Sequence, residues 1–510
     1  MRKFVIGLAV LFVVLAAMVA CGGTTETDDP TEVLPYEIPS DPTETEDIYE
    51  PIPVEIPQHN EYIVTLEIDP ETRTVQGISR ISFTNRSDTP LDTIVLRVFL
   101  NAFDESVEPR PYTEDARWRL AGGEGTRGRM DIEYVFINNE VPDFEMDGTI
   151  LTLRLDAPVE PGVTVLLSLQ FSAYVPPFRH IIGGNDDAMW FGMFLPVLAV
   201  YDENGWHTEA FYPVGNPFFL ETANYQVAIT TPIDYNVVGT GHRTEEIIYD
   251  TDIKITRFAA NMTRDFAFAV LFPAYYSASI MTESGVEVVL HHHTAVTDDR
   301  MEDILNFARV SVESFETHVG VYPFGQINIV ETDMVHDNMH FSQMVFFDGR
   351  LLRSGNLQGL AHSLGSQWFA SVVGVNAIAE PWLDIGLTRF VQAKIALETP
   401  ELLREYMEQV HTRVAERTDL YLTDGLWAYT SREDFIMAQG YRAMLMLHQL
   451  QHRMGAEDFW TFINLYYQTF SFQIASVQDF IATAAAVYGN DLQEFFHVWM
   501  TSDVVPPLLR

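Results

Sequence analysis

The stretch LAHSLGSQWF, residues 360–369, lies within an apolar pattern of helical spacing. Apolar side chains in and around it recur every three or four residues, at Leu357, Leu360, Ala361, Leu364, Trp368 and Val372. This period predicts a largely buried helix over residues 357–373. On such a helix His362 and Ser366 lie on one face, because they are four residues apart.

His362 and Ser366 have the spacing of the two histidines in the zinc-binding pattern H-E-x-x-H. In that pattern both histidines bind the metal, and the glutamate after the first one is the general base for the attacking water. The pentad here reads HSLGS. His362 keeps one ligand position, whereas Ser363 stands at the base position and Ser366 at the second ligand position.

The residues around the pentad resemble the M1-family aminopeptidases, the gluzincins. The segments GLAHSLGSQWF and EPWLDIGLTRFVQ are similar to IAHELAHQWF and EPWLDEGLAEY in that family. The family's third zinc ligand is a glutamate separated from the second histidine by eighteen residues, and that spacing reaches Ile385. The resemblance therefore implies a degenerate zinc site with ligand positions at His362, Ser366 and Ile385.

Two further family segments are changed. DNMHFSQMVFF is similar to GGMEYPGLVF, which binds the substrate amino terminus in the family, and His340 replaces its glutamate. The family's transition-state tyrosine, in YxKG, aligns with MAQG, which places Met437 at the tyrosine and Gln439 at the lysine. The residues that the resemblance assigns to the substrate cleft are Asn338, Met339, His340 and Phe341.

The resemblance covers most of the chain from residue 59 and implies an α+β multidomain fold. It implies a saddle-like antiparallel β-sandwich over residues 59–280, followed by a thermolysin-like, mostly helical domain with a small sheet over residues 281–510. The sequence pattern agrees with this division. Segments such as YIVTLEID and TVLLSLQFSAYV alternate apolar and polar residues, whereas helical spacing dominates from residue 357 onward.

The changed positions predict the loss of the family's cofactor and chemistry. A catalytic zinc needs three protein ligands and an open position, and neither serine nor isoleucine is a suitable ligand. Without the metal and a base, water is not activated for attack. We therefore expect no bound zinc and a pseudoenzyme whose cleft binds a peptide or protein segment.

Two alternatives to a pseudoenzyme follow from the same residues. The first is an active metallopeptidase with a rearranged metal site built from His336, His340 and His362. The second is a structural surface protein without a ligand. The run His291–His293 also has metal-binding side chains, but alternate residues of a strand face opposite ways, so we interpret it as a surface strand.

The N-terminal segment predicts export and membrane attachment. Residues 1–20 have the features of a signal peptide, a basic start followed by an apolar run that ends at MVAC. This ending resembles the bacterial lipobox, so Cys21, the only cysteine of the chain, is the expected lipidation site. Residues 21–58 are acidic and rich in proline and threonine, which predicts a disordered, extended tether. The protein is thus expected on the extracytoplasmic side of the cell membrane, anchored by lipid.

The overall charge excludes one class of partner. The chain has 72 acidic and 30 basic residues and a net charge of −42. A surface this negative is repelled by phosphate backbones, so we expect no nucleic-acid partner.

Overall fold

The computed structural model describes residues 59–104, 128–212, 214–249, 251–293, 295–334, 338–397, 399–417 and 419–508. The predicted signal peptide, Cys21 and the predicted tether lie outside these residues, as does His336. Among the described helices, none combines the length and the apolar composition needed to cross a membrane.

The described chain has twenty-two strands, and the first nineteen of them make up most of the described residues before residue 294. In chain order they are β1 (Asn60–Asp69), β2 (Thr74–Thr84), β3 (Leu91–Arg97), β4 (Arg129–Ile137), β5 (Asp143–Asp147), β6 (Ile150–Val159), β7 (Thr164–Tyr174), β8 (Ile182–Gly184), β9 (Ala188–Phe191), β10 (Val197–Leu198), β11 (Tyr201–Asp202), β12 (Gly205–Trp206), β13 (Ala223–Pro232), β14 (Asn236–Gly239), β15 (His242–Ile248), β16 (Ile253–Thr263), β17 (Phe268–Leu271), β18 (Tyr275–Met281), β19 (Glu287–His293), β20 (Gln326–Thr332), β21 (Asn338–Phe341) and β22 (Met344–Asp348).

The first seventeen strands form a layered β structure. Its largest sheet has seven strands in the order β15-β16-β13-β1-β2-β7-β4, and neighbours are antiparallel except for β1 and β13. Two four-stranded sheets, β10-β3-β6-β5 and β14-β17-β9-β8, and the β11-β12 hairpin complete it. Along β2 every second residue is buried, as expected for a strand with one face on a core.

A five-stranded sheet connects the β structure to the helical half. Its strand order is β18-β19-β20-β22-β21, with β20 parallel to both of its neighbours. Strand β18 begins at Tyr275, before the predicted domain boundary at residue 280, and pairs with β19. The cleft segment predicted from the sequence is β21, the edge strand of this sheet.

The second half of the chain is mostly helical. Its helices are α1 (Asp298–His318), α2 (Gly349–Ser354), α3 (Gln358–Ser366), α4 (Trp382–Ala396), α5 (Pro400–Ala415), α6 (Arg432–Phe435), α7 (Ala443–Met454), α8 (Ala456–Phe470), α9 (Val477–Tyr488) and α10 (Gln493–Thr501). Short 3₁₀ helices span Phe99–Phe103 and Leu426–Ala428, and π-helical turns span Gln367–Val372 and Ile436–Arg442.

Local signals explain where several helices begin and end. The Thr297 hydroxyl accepts a hydrogen bond from the backbone of Arg300 and so caps α1, and Ser476 with Asp479 forms a capping box at α9. Helix α2 ends at Gly355, whose φ of 78° places it in the left-handed region that glycine tolerates best.

Arg264, which follows β16, holds the β structure against the helical half. Its buried guanidinium donates hydrogen bonds of 2.7–3.1 Å to the carbonyls of Leu220, Ala370, Val372 and Gln473. Burial lowers the pKa of Arg264 only to about 10, so the group stays charged at neutral pH. A buried charge is tolerated only when it is well hydrogen-bonded, and these bonds tie the turn after α3, through Ala370 and Val372, to the segments that contain Leu220 and Gln473.

Candidate functional site

Helix α3 and the π-helical turn after it form the buried segment that the apolar pattern predicts. Leu360, Leu364 and Trp368 are fully buried along it. The Trp368 indole donates a 2.8 Å hydrogen bond to the carbonyl of Gly320, and its ring stacks on Phe315 with centroids 5.2 Å apart. This packing fixes the face of α3 that carries His362 and Ser366, the positions that the family resemblance assigns to zinc ligands.

The residues at the second and third ligand positions do not fit a zinc ion. The Ser366 hydroxyl is buried and donates a 3.1 Å hydrogen bond to the carbonyl of His362 on its own helix. Ile385, on α4, has only an apolar side chain, which packs in a hydrophobic cluster with Val200 and Phe219. In the part of the chain that the structure describes, no group of three or more His, Cys, Asp or Glu side chains is arranged to hold a metal.

Ser363, at the position of the general base, connects α3 to strand β21. The side-chain amide of Asn338 donates hydrogen bonds to the Ser363 hydroxyl and, at 2.9 Å, to the carbonyl of Gly359. Ser363 is fully buried. A structural hydrogen bond thus occupies the place where the family mechanism needs a proton acceptor.

A cluster of the partly buried His340 and His362 and the buried Asp384 lies beside these positions. The His340 Nε2 atom is 4.0 Å from Asp384 Oδ2, and the rings of His340 and His362 have centroids 6.3 Å apart. Asn216 donates a 3.5 Å hydrogen bond to the Asp384 carboxyl. The cluster therefore joins residues from β21, α3, α4 and the loop before β13.

Burial keeps this cluster uncharged over a wide pH range. It lowers the pKa of His340 to about 4 and raises that of Asp384 to about 7. The pKa of His362 lies well below its usual value because of burial and, next, because Arg389, His340 and Arg432 oppose a further positive charge. Between about pH 4 and pH 7 His340 and Asp384 are both neutral, and burial favours the neutral form of His362 as well.

Met437 and Gln439 occupy the π-helical turn Ile436–Arg442. Met437 is buried in the apolar core of the helical half. The Gln439 amide donates hydrogen bonds of 2.9 Å to the carbonyls of Tyr421 and Asp424, and of 2.6 Å to the Tyr429 hydroxyl. Both residues therefore act in packing and in holding the turn.

A cavity of about 340 Å³ lies beside the positions that the family resemblance assigns to zinc ligands. Asn338, Met339 and His340 line it, together with His362 and Ile385, whereas Phe341 lines an adjoining space of about 30 Å³. The cavity is bounded by both halves of the molecule, since Phe211 and Val214 contribute from the β half.

Other lining residues were not identified from the sequence, namely Arg179, Asn216, Asp384, Arg389 and Arg432. A local signal exists only for Asp384, which is the single acid in the apolar helical run WLDIGL. The arginines belong to separate segments that only the fold brings together.

The expectation that His291–His293 forms a surface strand is wrong. The residues end β19, which lies inside the five-stranded sheet between β18 and β20, and His291 and His292 are buried. The His291 ring bonds the Ser277 hydroxyl at 2.7 Å and the Asn328 side chain at 3.1 Å. Strand pairing with distant segments, which the local pattern does not reveal, buries them.

Residues 353–499 match the family described as Peptidase family M1 domain. A comparison with curated proteins found no match.

Solved structures of M1 zinc metallopeptidases share the fold. The M1 zinc metallopeptidase from Deinococcus radiodurans is 16% identical with a TM-score of 0.65, covering 89% of this chain and 95% of its own. A mutant from the same organism, bound to a Tyr-Ser-Ala substrate, is 16% identical with a TM-score of 0.66, and the match covers 89% of this chain and 95% of the mutant's. A two-domain M1 zinc metallopeptidase mutant bound to L-tryptophan is 15% identical with a TM-score of 0.65, and the match covers 89% of this chain and 97% of the mutant's. The fold class predicted from the sequence is confirmed, and so is the likeness to M1 aminopeptidases.

Proposed function

We propose that this M1 peptidase-like chain binds a peptide in its cavity and does not cleave it by the zinc-dependent mechanism. One observation carries the proposal: the cavity of about 340 Å³ is retained around zinc-ligand positions occupied by Ser366 and Ile385. The M1-like scaffold and a cavity for a ligand are present, whereas Ser366 and Ile385 stand where the family has side chains that bind zinc.

The local chemistry argues against hydrolysis. Zinc catalysis depends on a metal that lowers the pKa of bound water and on a base that accepts the proton. The Ser366 hydroxyl bonds its own helix, Ile385 has no donor atom, and Ser363 accepts a hydrogen bond from Asn338. None of the three groups supplies either function.

The cavity suits a short peptide segment. Its volume is near the lower end of the range for small-ligand sites, about 300–1,000 Å³, and apolar side chains such as Phe211 and Met339 alternate with polar ones around it. A similar structure holds a tripeptide substrate. That likeness supports a peptide as the class of ligand for this chain.

Peptide binding is tested with two matched tryptophan substitutions. Thr430 is exposed and lines the cavity, whereas Thr423 is equally exposed and does not. The full-length chain, kept in mild detergent because of its apolar N-terminal segment, is titrated against a fluorescently labelled tryptic digest of casein, and anisotropy is measured. We expect saturable binding by the wild type and by Thr423→Trp, and binding weakened by about tenfold, or 1.4 kcal/mol, in Thr430→Trp.

The same samples test for hydrolysis. The casein digest is followed by mass spectrometry with and without EDTA, and we expect no EDTA-sensitive change. Cleavage abolished by EDTA would establish the alternative of an active peptidase with a rearranged metal site. Absence of saturable binding to the folded protein would favour a structural role instead.

We also propose that the protein is anchored outside the cytoplasm by a lipid on Cys21, with residues 21–58 as a tether. The lipobox-like MVAC sequence and the lack of Lys and Arg in the tether support this. Mass spectrometry of the mature N-terminal peptide checks it. A mature chain that begins elsewhere, or an unmodified Cys21, would contradict it.

A further inference from the structure

We infer that strand β18 is an interaction surface for a second copy of this chain. The two β18 strands pair antiparallel, in a register centred on Ala278, and join two five-stranded sheets into one continuous sheet. Strand β18 contributes no residue to the cavity, so the inference does not depend on peptide binding.

Strand β18 is an outer strand of the five-stranded sheet. It pairs with β19 over all seven of its residues, from Tyr275 to Met281, without a bulge. Within the described residues, its backbone beyond Tyr275 bonds only to β19. One row of N–H and C=O groups therefore faces away from the sheet, and such a row is a template for a further strand.

The other described edge strands of five or more residues have features that prevent such pairing. Charged side chains and bulges on an edge strand keep other strands away. Strands β4 and β15 each have a register irregularity against their neighbour, and β5 is acidic at alternate positions. Strand β18, with the sequence YYSASIM, has no charged residue, no proline and no bulge. The charged residues of the other three strands include Arg129, Asp131 and Glu133 on β4, Arg243, Glu245 and Glu246 on β15, and Asp143, Glu145 and Asp147 on β5.

Strand β18 also exposes apolar side chains that a neighbouring strand would bury. Tyr276 and Met281 are 57% and 56% exposed, and Ala278 and Ile280 are only partly buried against the core of the helical half. The whole chain has a net charge of −42, so two copies repel each other over most of their surface. The uncharged edge of β18 is a place where they can meet with little local repulsion.

The sequence of β18 is complementary to itself, which favours a second copy as its partner. A two-fold axis through Ala278 places residues at equal distances before and after Ala278 opposite each other. Tyr276 then faces Ile280 of the second copy, Tyr275 faces Met281, and Ser277 faces Ser279. Pairs of an aromatic and a β-branched side chain, such as Tyr276 with Ile280, stabilise neighbouring strands. A register centred on Ser279 would instead place Ser277 opposite Met281.

Sedimentation equilibrium tests for the dimer. The full-length chain is measured in a density-matched detergent over about a hundredfold range of protein concentration. We expect a reversible equilibrium between monomer and dimer. The dissociation constant should fall when NaCl is raised from about 0.05 M to about 0.5 M, because salt screens the repulsion between two acidic copies.

A lysine on the edge strand locates the contact. Ser279→Lys adds a charge at an exposed position of β18 in each copy and should raise the dissociation constant by about tenfold. Ser354→Lys, at an exposed serine that ends α2, is the matched control and should leave the constant unchanged. Circular dichroism melting curves show whether each variant is folded, and the concentration dependence of the wild type needs no variant.

Cysteine cross-linking determines the register. The variants are made in a Cys21→Ser background, because Cys21 is the only cysteine. Ala278→Cys should form disulfide-linked dimers on oxidation, since opposite residues have Cα atoms about 4.5–5.5 Å apart, within disulfide range. Ser277→Cys alone should cross-link poorly, because the two cysteines are diagonal and about 7–8 Å apart. An equal mixture of Ser277→Cys and Ser279→Cys should cross-link efficiently.

The outcomes are distinct. A dimer that Ser279→Lys weakens, together with cross-linking of the mixture, would establish the inference. A chain that stays monomeric at every concentration and salt would overturn it, and so would a dimer that Ser279→Lys leaves unchanged, because the contact would then lie elsewhere. Equal cross-linking of Ser277→Cys alone and of the mixture would overturn the register centred on Ala278.

Discussion

The His340 imidazole and the Asp384 carboxyl approach within 4.0 Å, and between about pH 4 and pH 7 they do so as two neutral groups. Burial moves their pKa values in opposite directions, to about 4 for His340 and about 7 for Asp384. Both therefore prefer their uncharged forms, although an exposed pair of this kind would attract as imidazolium and carboxylate.

Asp384 should make the free energy of unfolding depend on pH. Below about pH 4 its carboxyl is protonated in the folded and unfolded chain, and the group does not destabilise the fold. Between about pH 4 and pH 7 the unfolded chain releases the proton and the folded chain retains it, so stability falls as pH rises. Asp384→Asn should thus become more stable than the wild type with increasing pH, by at most about 4 kcal/mol at pH 8.

Urea denaturation at pH 4.5 and pH 8 checks this expectation. The relevant quantity is the difference between wild type and Asp384→Asn at each pH, since other groups titrate in both proteins. A difference that is the same at both values would show that the folded pKa of Asp384 is not raised.

The wild-type chain should not retain zinc after dialysis against trace zinc, because Ser366 and Ile385 supply no suitable ligand. Adding ligands should change this. The double variant Ser366→His with Ile385→Glu completes a set of two histidines and one glutamate, and about one zinc per chain is expected. Elemental analysis measures the ratio, with Ser366→His plus Ile385→Gln as a size-matched control. A zinc ion held by the wild type would instead indicate a rearranged site with His336, His340 and His362 as its ligands.

Ser366 and Ser363 should differ in their effect on stability although both are buried serines of α3. The Ser366 hydroxyl bonds only a carbonyl of its own helix, so Ser366→Ala should change the free energy of unfolding by less than about 1 kcal/mol. Ser363→Ala removes the acceptor of a hydrogen bond from Asn338 and should destabilise by about 1–3 kcal/mol. Chemical denaturation of both variants distinguishes them, and equal losses would contradict this assignment.

Gly365→Ala should destabilise the protein, although the family sequence that this segment resembles has alanine at this position. A Cβ atom there would lie 2.2 Å from Cζ of Phe315, whose ring is stacked on Trp368 in a densely packed core. Gly365→Ala should therefore destabilise by about 1–3 kcal/mol, although alanine is the better helix former. Combining it with Phe315→Leu should recover part of the loss. Stabilisation by Gly365→Ala alone would show that Phe315 can move aside.

The periodicity of apolar residues predicted helices and strands, because these depend on residues that are close in sequence. The spacing of Leu360, Leu364 and Trp368 was enough for α3, and alternation along TVLLSLQFSAYV was enough for β7, a strand with one buried face. The cluster of Asn216, His340 and Asp384 could not be predicted in this way, because its members are distant in sequence and meet only when α4 packs beside β21. The same limit explains the error at His291, whose burial depends on β18 and β20.

The four carbonyls bonded by Arg264 imply that the two halves of the molecule are not separable folding units. Arg264 belongs to the β half, but Ala370, Val372 and Gln473 belong to the helical half. A gene cut between them would leave a buried cation without most of its acceptors in one fragment and exposed helix ends in the other. We therefore expect a chain divided there to fold only when both fragments are made together and reassemble.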